Sequence, residues 1–335
     1  TLVLLANLQD ARSGEGSTWD VRAVANRALA AFRLAGIADD VQLSSTVPFA
    51  IEHGNRLLPN GNAPGLSEQK MDWYPHKQFL IGGIHDPDMA FRNEIMQAAV
   101  DSGLGVIRHY RGPHSSSEFL LGQQSLVQAC DDHIILRSLF ETGALQQSLQ
   151  IDANVPAVVK SSWSILKNGE PILDGLRSHG LSDLGWYAAG GILKHQLALT
   201  AIACASPSIH NLAIARKAHQ QTHWQDRGAF KILGVEQANH DPRFRSLVYR
   251  GTPANSCPYL SLSALTMAML DGIVNKIAPN TDAPPDSSAT HSPDTIHAPS
   301  LANDLRNDAD FLLVSDVFSE SLVEALAISL SQTRS

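Results

Sequence analysis

The chain has few cysteines, no long hydrophobic run and no recognisable signal peptide. Its three cysteines, Cys130, Cys204 and Cys257, are scattered over 335 residues, which excludes a disulfide framework and a cysteine-rich zinc site. No apolar stretch approaches the ~18 residues that a membrane span needs. We therefore expect a cytoplasmic protein with reduced, buried thiols and no membrane partner.

Charged residues are scarce, and their balance is acidic. Asp, Glu, Lys and Arg make up 17% of the residues with a net charge of −8, so we expect no nucleic-acid partner. The patterns GxxxxGK[ST], GxGxxG and GxSxG are all absent, which removes the best-known nucleotide-binding and hydrolase signatures. Hydrophobic residues nevertheless account for 44% of the chain, enough for a globular protein with a large core.

Helix and strand signals mix irregularly along the sequence. A helix is predicted from Asp20 to Leu34, and Asp86 with Pro87 opens another that ends near Gly103. Apolar periodicity predicts strands at 1–10, 41–52 and 105–110, and helices at 123–140, 182–199, 258–277 and 301–335, the third of which opens at Pro258-Tyr259-Leu260. Between the last two helices, residues 279–300 are rich in Pro, Ser, Thr and Asp, as in a surface loop or linker. This order favours an α+β domain over a regular βαβ series.

The chemically densest stretch is RHYRGPHSSSE, Arg108–Glu118. Its two arginines, two histidines and three serines can bind an anion, or they can form a strand end and a polar loop without a ligand. His219 and His223 have the i,i+4 spacing of a metal-binding helix, but the sequence offers no obvious third ligand, which favours surface histidines. The neighbouring acids at 131 and 132 fall in mid-helix, where we expect a solvated face.

Four segments follow one another from residue 126 onward: LVQACDDHIILR, GLSDLGWYAAGGILKHQLALTAIACASPSIHN, PANSCPYLSLSALTMAMLDGIVNKIAP and NDLRNDADFLLVSDVFSESLVEAL. In this order and at these distances they resemble the catalytic domain of glutamine synthetase and its gamma-glutamyl ligase relatives. With the opening LVLLANLQDARSGEG, the resemblance covers nearly all of residues 1–335. It implies a single α+β domain with a curved antiparallel sheet flanked by helices, lacking the family's small N-terminal domain.

The resemblance also implies a site where carboxylates hold magnesium or manganese ions beside ATP. Matched position by position, most of those acids are missing from this chain. The residues at the family's metal-ligand positions are Thr46, Pro48, Arg111, Ser161 and Val248, with Glu118 the single retained acid. Two cationic positions of the family site survive, as Arg227 and Arg250.

These losses predict a catalytically degenerate family member, a pseudoenzyme with a regulatory, assembly or small-molecule-binding role and no metal or ATP cofactor. The alternative is an ATP-dependent carboxylate–amine ligase with an altered site, which would use Mg²⁺ or Mn²⁺ and ATP. Since members of this family form rings, we expect a homo-oligomer or a hetero-oligomer with a related subunit. Arg227 and Arg250 predict a small anionic or amino-acid ligand, and Arg111 is expected to pair with Glu118 in place of a lost cation.

Overall fold

A computed structural model describes residues 4–14, 16–52, 86–112, 116–152, 157–205, 232–238, 241–281 and 298–332. The helices in these ranges are α1 (Val21–Leu34), α2 (Met89–Asp101), α3 (Leu126–Gln146), α4 (Asp183–Lys194), α5 (Gln196–Cys204), α6 (Pro258–Val274), α7 (Ala298–Asn307), α8 (Asp310–Leu313) and α9 (Glu320–Gln332). The strands are β1 (Asp40–Phe49), β2 (Val106–Arg111), β3 (Ser117–Ser125), β4 (Val158–Lys167), β5 (Glu170–Pro171), β6 (Leu233–Ala238) and β7 (Asp241–Pro253). The mixed order confirms the predicted α+β class.

The strands form one open antiparallel sheet in the order β2-β3-β1-β4-β7-β6, with the short β5 pairing with β4. Because side chains alternate between the two faces of a strand, the sheet separates two environments. One face carries Leu43, Trp163 and Leu247, which are fully buried in a core shared with the helices. We call this the inner face and the opposite one the outer face.

Helix α6 lies at the centre of the helical layer and packs against α1, α3 and α4. Nearly all of its side chains are buried, so it is apolar around its whole circumference rather than along one stripe. It begins at Pro258, which confirms the start predicted at Pro258-Tyr259-Leu260, since proline is well suited to a first helical turn. None of the described helices is both long and apolar enough to cross a membrane.

The predicted continuous helix over 182–199 is wrong at its centre, because it consists of two helices that meet at His195. The backbone leaves helical geometry there, and the imidazole is buried between two carboxylates. Its Nε2 lies 2.8 Å from Asp271, and its Nδ1 lies 2.9 Å from Asp308. The ring also stacks on Phe311 at a centroid distance of 3.9 Å. The break therefore places one polar side chain where it joins α6 to the segment after α7.

Other predicted boundaries move for local reasons. Helix α2 begins at Met89 rather than Pro87, since Asp86 binds the guanidinium of Arg92 instead of capping the helix. The helix predicted from 123 begins three residues later, because β3 continues to Ser125. Helix α7 starts at Ala298, so the last three residues of the predicted loop at 279–300 are helical, while 282–297 lie outside the described residues.

The strand predicted at the beginning of the chain is also wrong. Within its described part, residues 4–8 form no strand, and Leu4 and Leu8 are 78% and 58% exposed. The one pairing there is an isolated bridge between Gln9 and Gly16. An apolar run becomes a strand when a neighbouring strand supplies hydrogen-bond partners, and this segment pairs with no strand of the described sheet.

The acids predicted to form a solvated face of α3 are instead buried and hydrogen-bonded. Asp131 accepts hydrogen bonds from Arg22 Nε and Nη2 at 2.9 and 2.8 Å and from the hydroxyl of Tyr259 at 2.6 Å. Asp132 accepts one from Gln124 at 2.7 Å. Asp131 thus connects α1, α3 and α6, a structural role that helical periodicity alone does not reveal.

Candidate functional site

The pairing register determines which side chains share the outer face. Thr46 lies opposite Lys160 in the β1–β4 pair, and Pro48 lies opposite Glu118 in the β1–β3 pair. Tyr110 is also opposite Glu118, on β2. With their neighbours on β4, β6 and β7, the outer-face residues considered below are Thr46, Pro48, Tyr110, Glu118, Lys160, Ser162, Glu236, Val248 and Arg250.

Glu118 is the best-enclosed acid of this face. Tyr110 and Ser116 donate hydrogen bonds to its carboxylate, the latter at 3.3 Å. Glu118 Oε1 fills the space that a Cβ of residue 112 would need, so the carboxylate can lie here only because that residue is Gly112. Burial raises the pKa of Glu118, and the two hydrogen bonds and the charge of Lys160 offset that effect in part. Burial and the charge of Glu118 together raise the pKa of Tyr110 to about 12.

The other half of the face is a charged row across β4, β6 and β7. Lys160 Nζ lies 2.7 Å from Glu236 Oε1, and Arg250 Nη2 lies 3.0 Å from the same oxygen. All three side chains are partly exposed, which leaves them accessible to a ligand. Together with Glu118, the row contains two acidic and two basic side chains, so the formal charges of these four described residues sum to zero.

The structure brings together five of the residues that the family resemblance singled out. Thr46, Pro48, Glu118, Val248 and Arg250 all belong to the outer face, on three adjacent pairs of strands. Val248 is fully buried, whereas the guanidinium of Arg250 is partly exposed. The other cationic candidate, Arg227, lies outside the described residues, as do the two histidines at 219 and 223.

The structure places Arg111 and Ser161 on the inner face instead. Arg111 is 4% exposed and lies opposite Ser117, while the hydroxyl of Ser161 accepts a hydrogen bond from Trp163 Nε1 at 2.9 Å. In the strand register the residue opposite Glu118 is Tyr110 rather than Arg111, and the pairing of Arg111 with Glu118 stays a prediction. A shift of one residue along a strand turns a side chain to the other face, so the residues that these two strands place on the outer face are the neighbours Tyr110 and Lys160.

Three outer-face residues were missed by the sequence comparison. Tyr110 and Lys160 are each the immediate neighbour of a residue that was chosen, and alternation along the strand would have found them. Glu236 had no such signal, because its strand is short and enters the sheet at the edge.

The described outer face does not suit the divalent ions of the family. Such ions take several oxygen ligands, carboxylates above all. The residues nearest Glu118 across the strands are Thr46, Pro48 and Tyr110, none of which is an acid, and Lys160 brings a positive charge. Within the described ranges, no cluster of three or more His, Cys, Asp or Glu side chains is arranged to hold a metal ion.

Replacing Glu118 with glutamine is expected to stabilise the protein at neutral pH. The pKa of Glu118 is higher in the folded state than in the unfolded chain, so the ionised form opposes folding above that pKa. We expect a higher melting temperature for E118Q than for the unmodified protein at neutral pH. The difference should shrink as the pH falls and disappear below about 4, where both states are protonated. Thermal denaturation over a pH series measures it.

The control for this experiment is Glu170→Gln on the exposed strand β5, which should change the melting temperature little at any pH. A loss of stability in E118Q at neutral pH would contradict the account of Glu118 as a buried acid kept at an energetic cost.

Comparison with known proteins agrees with the architecture. Residues 19–329 match the family described as "Glutamine synthetase, catalytic domain". The glutamine synthetase of Aquifex aeolicus is 25% identical over 97% of this chain and 76% of its own length. The 3-hydroxylaminophenol mutase of Cupriavidus pinatubonensis is likewise 25% identical, with the same coverage of 97% and 76%.

Solved structures show the same fold. The glutamine synthetase of Plasmodium falciparum superposes with a TM-score of 0.75 at 15% identity, covering 96% of this chain and 77% of that one. A structure titled "novel glutamine synthase homolog" gives a TM-score of 0.71 at 18% identity, covering 98% and 73%. The sheet order, the segments along the chain and the family match over 19–329 lead to one conclusion. The chain belongs to the glutamine synthetase catalytic-domain family.

Proposed function

We propose that this chain is a family member without metal- and ATP-dependent ligase activity, and that its outer face binds a small anionic or amino-acid ligand directly. The observation that carries this proposal is the composition of the face around Glu118. Where phosphoryl transfer needs several carboxylates to hold divalent ions, this face offers Thr46, Pro48 and Tyr110, with Lys160 beside them.

The size of the electrostatic loss supports the same conclusion. In enzymes, removal of one well-placed electrostatic group typically costs about 2.7–4 kcal/mol of transition-state stabilisation. In this chain, several of the family's metal-binding carboxylates are replaced at once, and the outer face carries a lysine beside the replaced positions. Neither Mg²⁺ nor Mn²⁺ nor ATP is therefore part of the proposed activity.

The ligand class follows from the cations that remain. Lys160 and Arg250 lie on adjacent strands and approach the same oxygen of Glu236, so a carboxylate or phosphate group arriving here meets two positive charges. Glu118 lies on the other side of Lys160 and offers an acceptor for an ammonium group. An amino acid carries both groups. Arg227 remains a proposed contributor from outside the described residues.

More widely, we propose that the protein has a regulatory or assembly role in the cytoplasm, and that it forms a homo-oligomer or an oligomer with a related subunit. Membership of the family supports this proposal, because family members form rings and a closed ring presents the same surface on every subunit. Light scattering after gel filtration tests this part separately, and a strict monomer at micromolar concentration would contradict it.

The second candidate function is an ATP-dependent carboxylate–amine ligase with an altered site. What favours it is that Glu118 and Arg250, one acid and one base of the family site, share the outer face. Under this alternative, Mg²⁺ or Mn²⁺ and ATP are required.

Melting temperatures in the presence of candidate ligands separate the two functions. We expect glutamate, glutarate or inorganic phosphate to stabilise the protein without any metal, by about 2.7 kcal/mol at a concentration one hundred times the Kd. The relative named as a mutase is a reason to include aromatic amines in the screen. Arg250→Ala should abolish the shift, whereas Arg177→Ala, an exposed arginine paired with Asp183, should not. Stabilisation by Mg²⁺-ATP alone would favour the ligase.

A further inference from the structure

Lys160 has a central place between the two acids of the outer face. Its strand, β4, lies in the middle of the order β2-β3-β1-β4-β7-β6. Glu118 stands two strands away on one side, on β3, and Glu236 two strands away on the other, on β6. The ammonium contacts Glu236 at 2.7 Å, and its charge also acts on Glu118.

A lysine in this position has consequences for any cation that approaches. The ammonium is permanently attached, and it offsets negative charge that the carboxylates of Glu236 and Glu118 would otherwise offer to a metal ion. A divalent ion that approaches the carboxylate of Glu236 would have to displace Lys160 or accept a like charge beside it, and one that approaches Glu118 would meet the field of the same ammonium. Among the described residues, no third acid compensates for that repulsion.

We propose that Lys160 is the resident counter-cation of the outer face: it neutralises Glu118 and Glu236, keeps divalent ions out, and binds the ligand's anionic group directly. This inference rests on the proposed function, because it names the residue that makes that site independent of metal. A ligand that binds Lys160 directly would carry a carboxylate or phosphate group and would need no metal ion between that group and the protein. Lysine is suited to this as a compact charge with three donors, only one of which is used on Glu236.

Two titrations of the same variants test the inference. Lys160→Met keeps most of the length of the side chain without its charge. Lys160→Gln is a second neutral variant in case the first fails to fold, and Lys160→Arg keeps the charge. Mn²⁺ binding is followed by electron paramagnetic resonance, and glutarate and inorganic phosphate binding by calorimetry. We expect Mn²⁺ to bind the neutral variants at least about tenfold more tightly than the unmodified protein. The same variants should lose glutarate and phosphate binding, and K160R should resemble the unmodified protein in both titrations.

The matched control is Lys167→Met, at the exposed end of the same strand, where the ammonium binds the carbonyl of Gly36. It should leave both titrations unchanged. Equal Mn²⁺ affinity in the unmodified protein and in both neutral variants overturns the role of Lys160. If instead the neutral variants gain Mn²⁺ binding but the unmodified protein binds neither anion, the counter-cation role stands and the proposed ligand class fails. If the unmodified protein binds phosphate but not glutarate, the ligand carries a phosphate group. If it binds glutarate but not phosphate, the ligand carries a carboxylate.

Discussion

Gly191→Ala is expected to lower the free energy of unfolding by about 3 kcal/mol or more, although alanine favours helices. Gly191 lies where α4 crosses α6, and the two backbones touch. A Cβ at this position would overlap the carbonyl oxygen of Ala268 and come within 2.7 Å of Gly272 Cα. Backbone atoms cannot rotate away, so the helices would have to separate at the centre of the core.

Gly143→Ala in α3 is the matched control for this change. Both glycines lie inside helices, and both substitutions gain about 1 kcal/mol of helix propensity. The atom nearest a Cβ at Gly143 is Ile95 Cδ1, the end of a flexible side chain, at 2.6 Å. We expect G143A to stay within about 1 kcal/mol of the unmodified protein in urea denaturation. Equal stability of G191A and G143A would show that the α4–α6 contact is looser than described.

Asp131→Ala is expected to destabilise the protein by about 3 kcal/mol. The carboxylate receives two hydrogen bonds from Arg22 and one from the hydroxyl of Tyr259, and its removal leaves a partly buried cation and a phenol without their acceptor. Because α1, α3 and α6 meet at this point, the loss should appear as a lower midpoint of urea unfolding.

Two further variants separate the contributions to the loss of stability in Asp131→Ala. Tyr259→Phe removes one donor and keeps the ion pair, so we expect about 1 kcal/mol. Asp101→Ala, at the exposed end of α2, removes an acid that contacts only the side chain of Gln97 among the described hydrogen bonds, and it should cost less than about 0.5 kcal/mol. A D131A protein as stable as D101A would support the solvated helix face that the sequence predicted.

Local signals predicted much of the fold because some residues act on their immediate neighbours. The helix predicted to end at Leu34 is confirmed to that residue, and at its start the side chain of Asp20 accepts a hydrogen bond from the backbone N–H of Arg22. The break at His195 could not be predicted in the same way, because its cause is two carboxylates 76 and 113 residues further along the chain. The burial of Asp131 likewise depends on partners from α1 and α6.

The candidate site was predictable as a region but not residue by residue. Matching the family's strands located β1, β3 and β7 correctly, and with them Thr46, Glu118 and Arg250. When a sequence is matched to a strand with an error of one residue, the residues still read as a strand, but every side chain is assigned to the opposite face of the sheet. The register of neighbouring strands shows that Tyr110 and Lys160 belong to the outer face.

The most direct test of the central claim is phosphate release from Mg²⁺-ATP in the presence of glutamate and ammonia or other amines. The Aquifex aeolicus glutamine synthetase, assayed under the same conditions, serves as the positive control. If the outer face has lost the ligase chemistry, the purified chain releases no phosphate above background, and release does not depend on glutamate. Saturable, glutamate-dependent release that is lost in Glu118→Gln would contradict the account and identify the protein as a ligase.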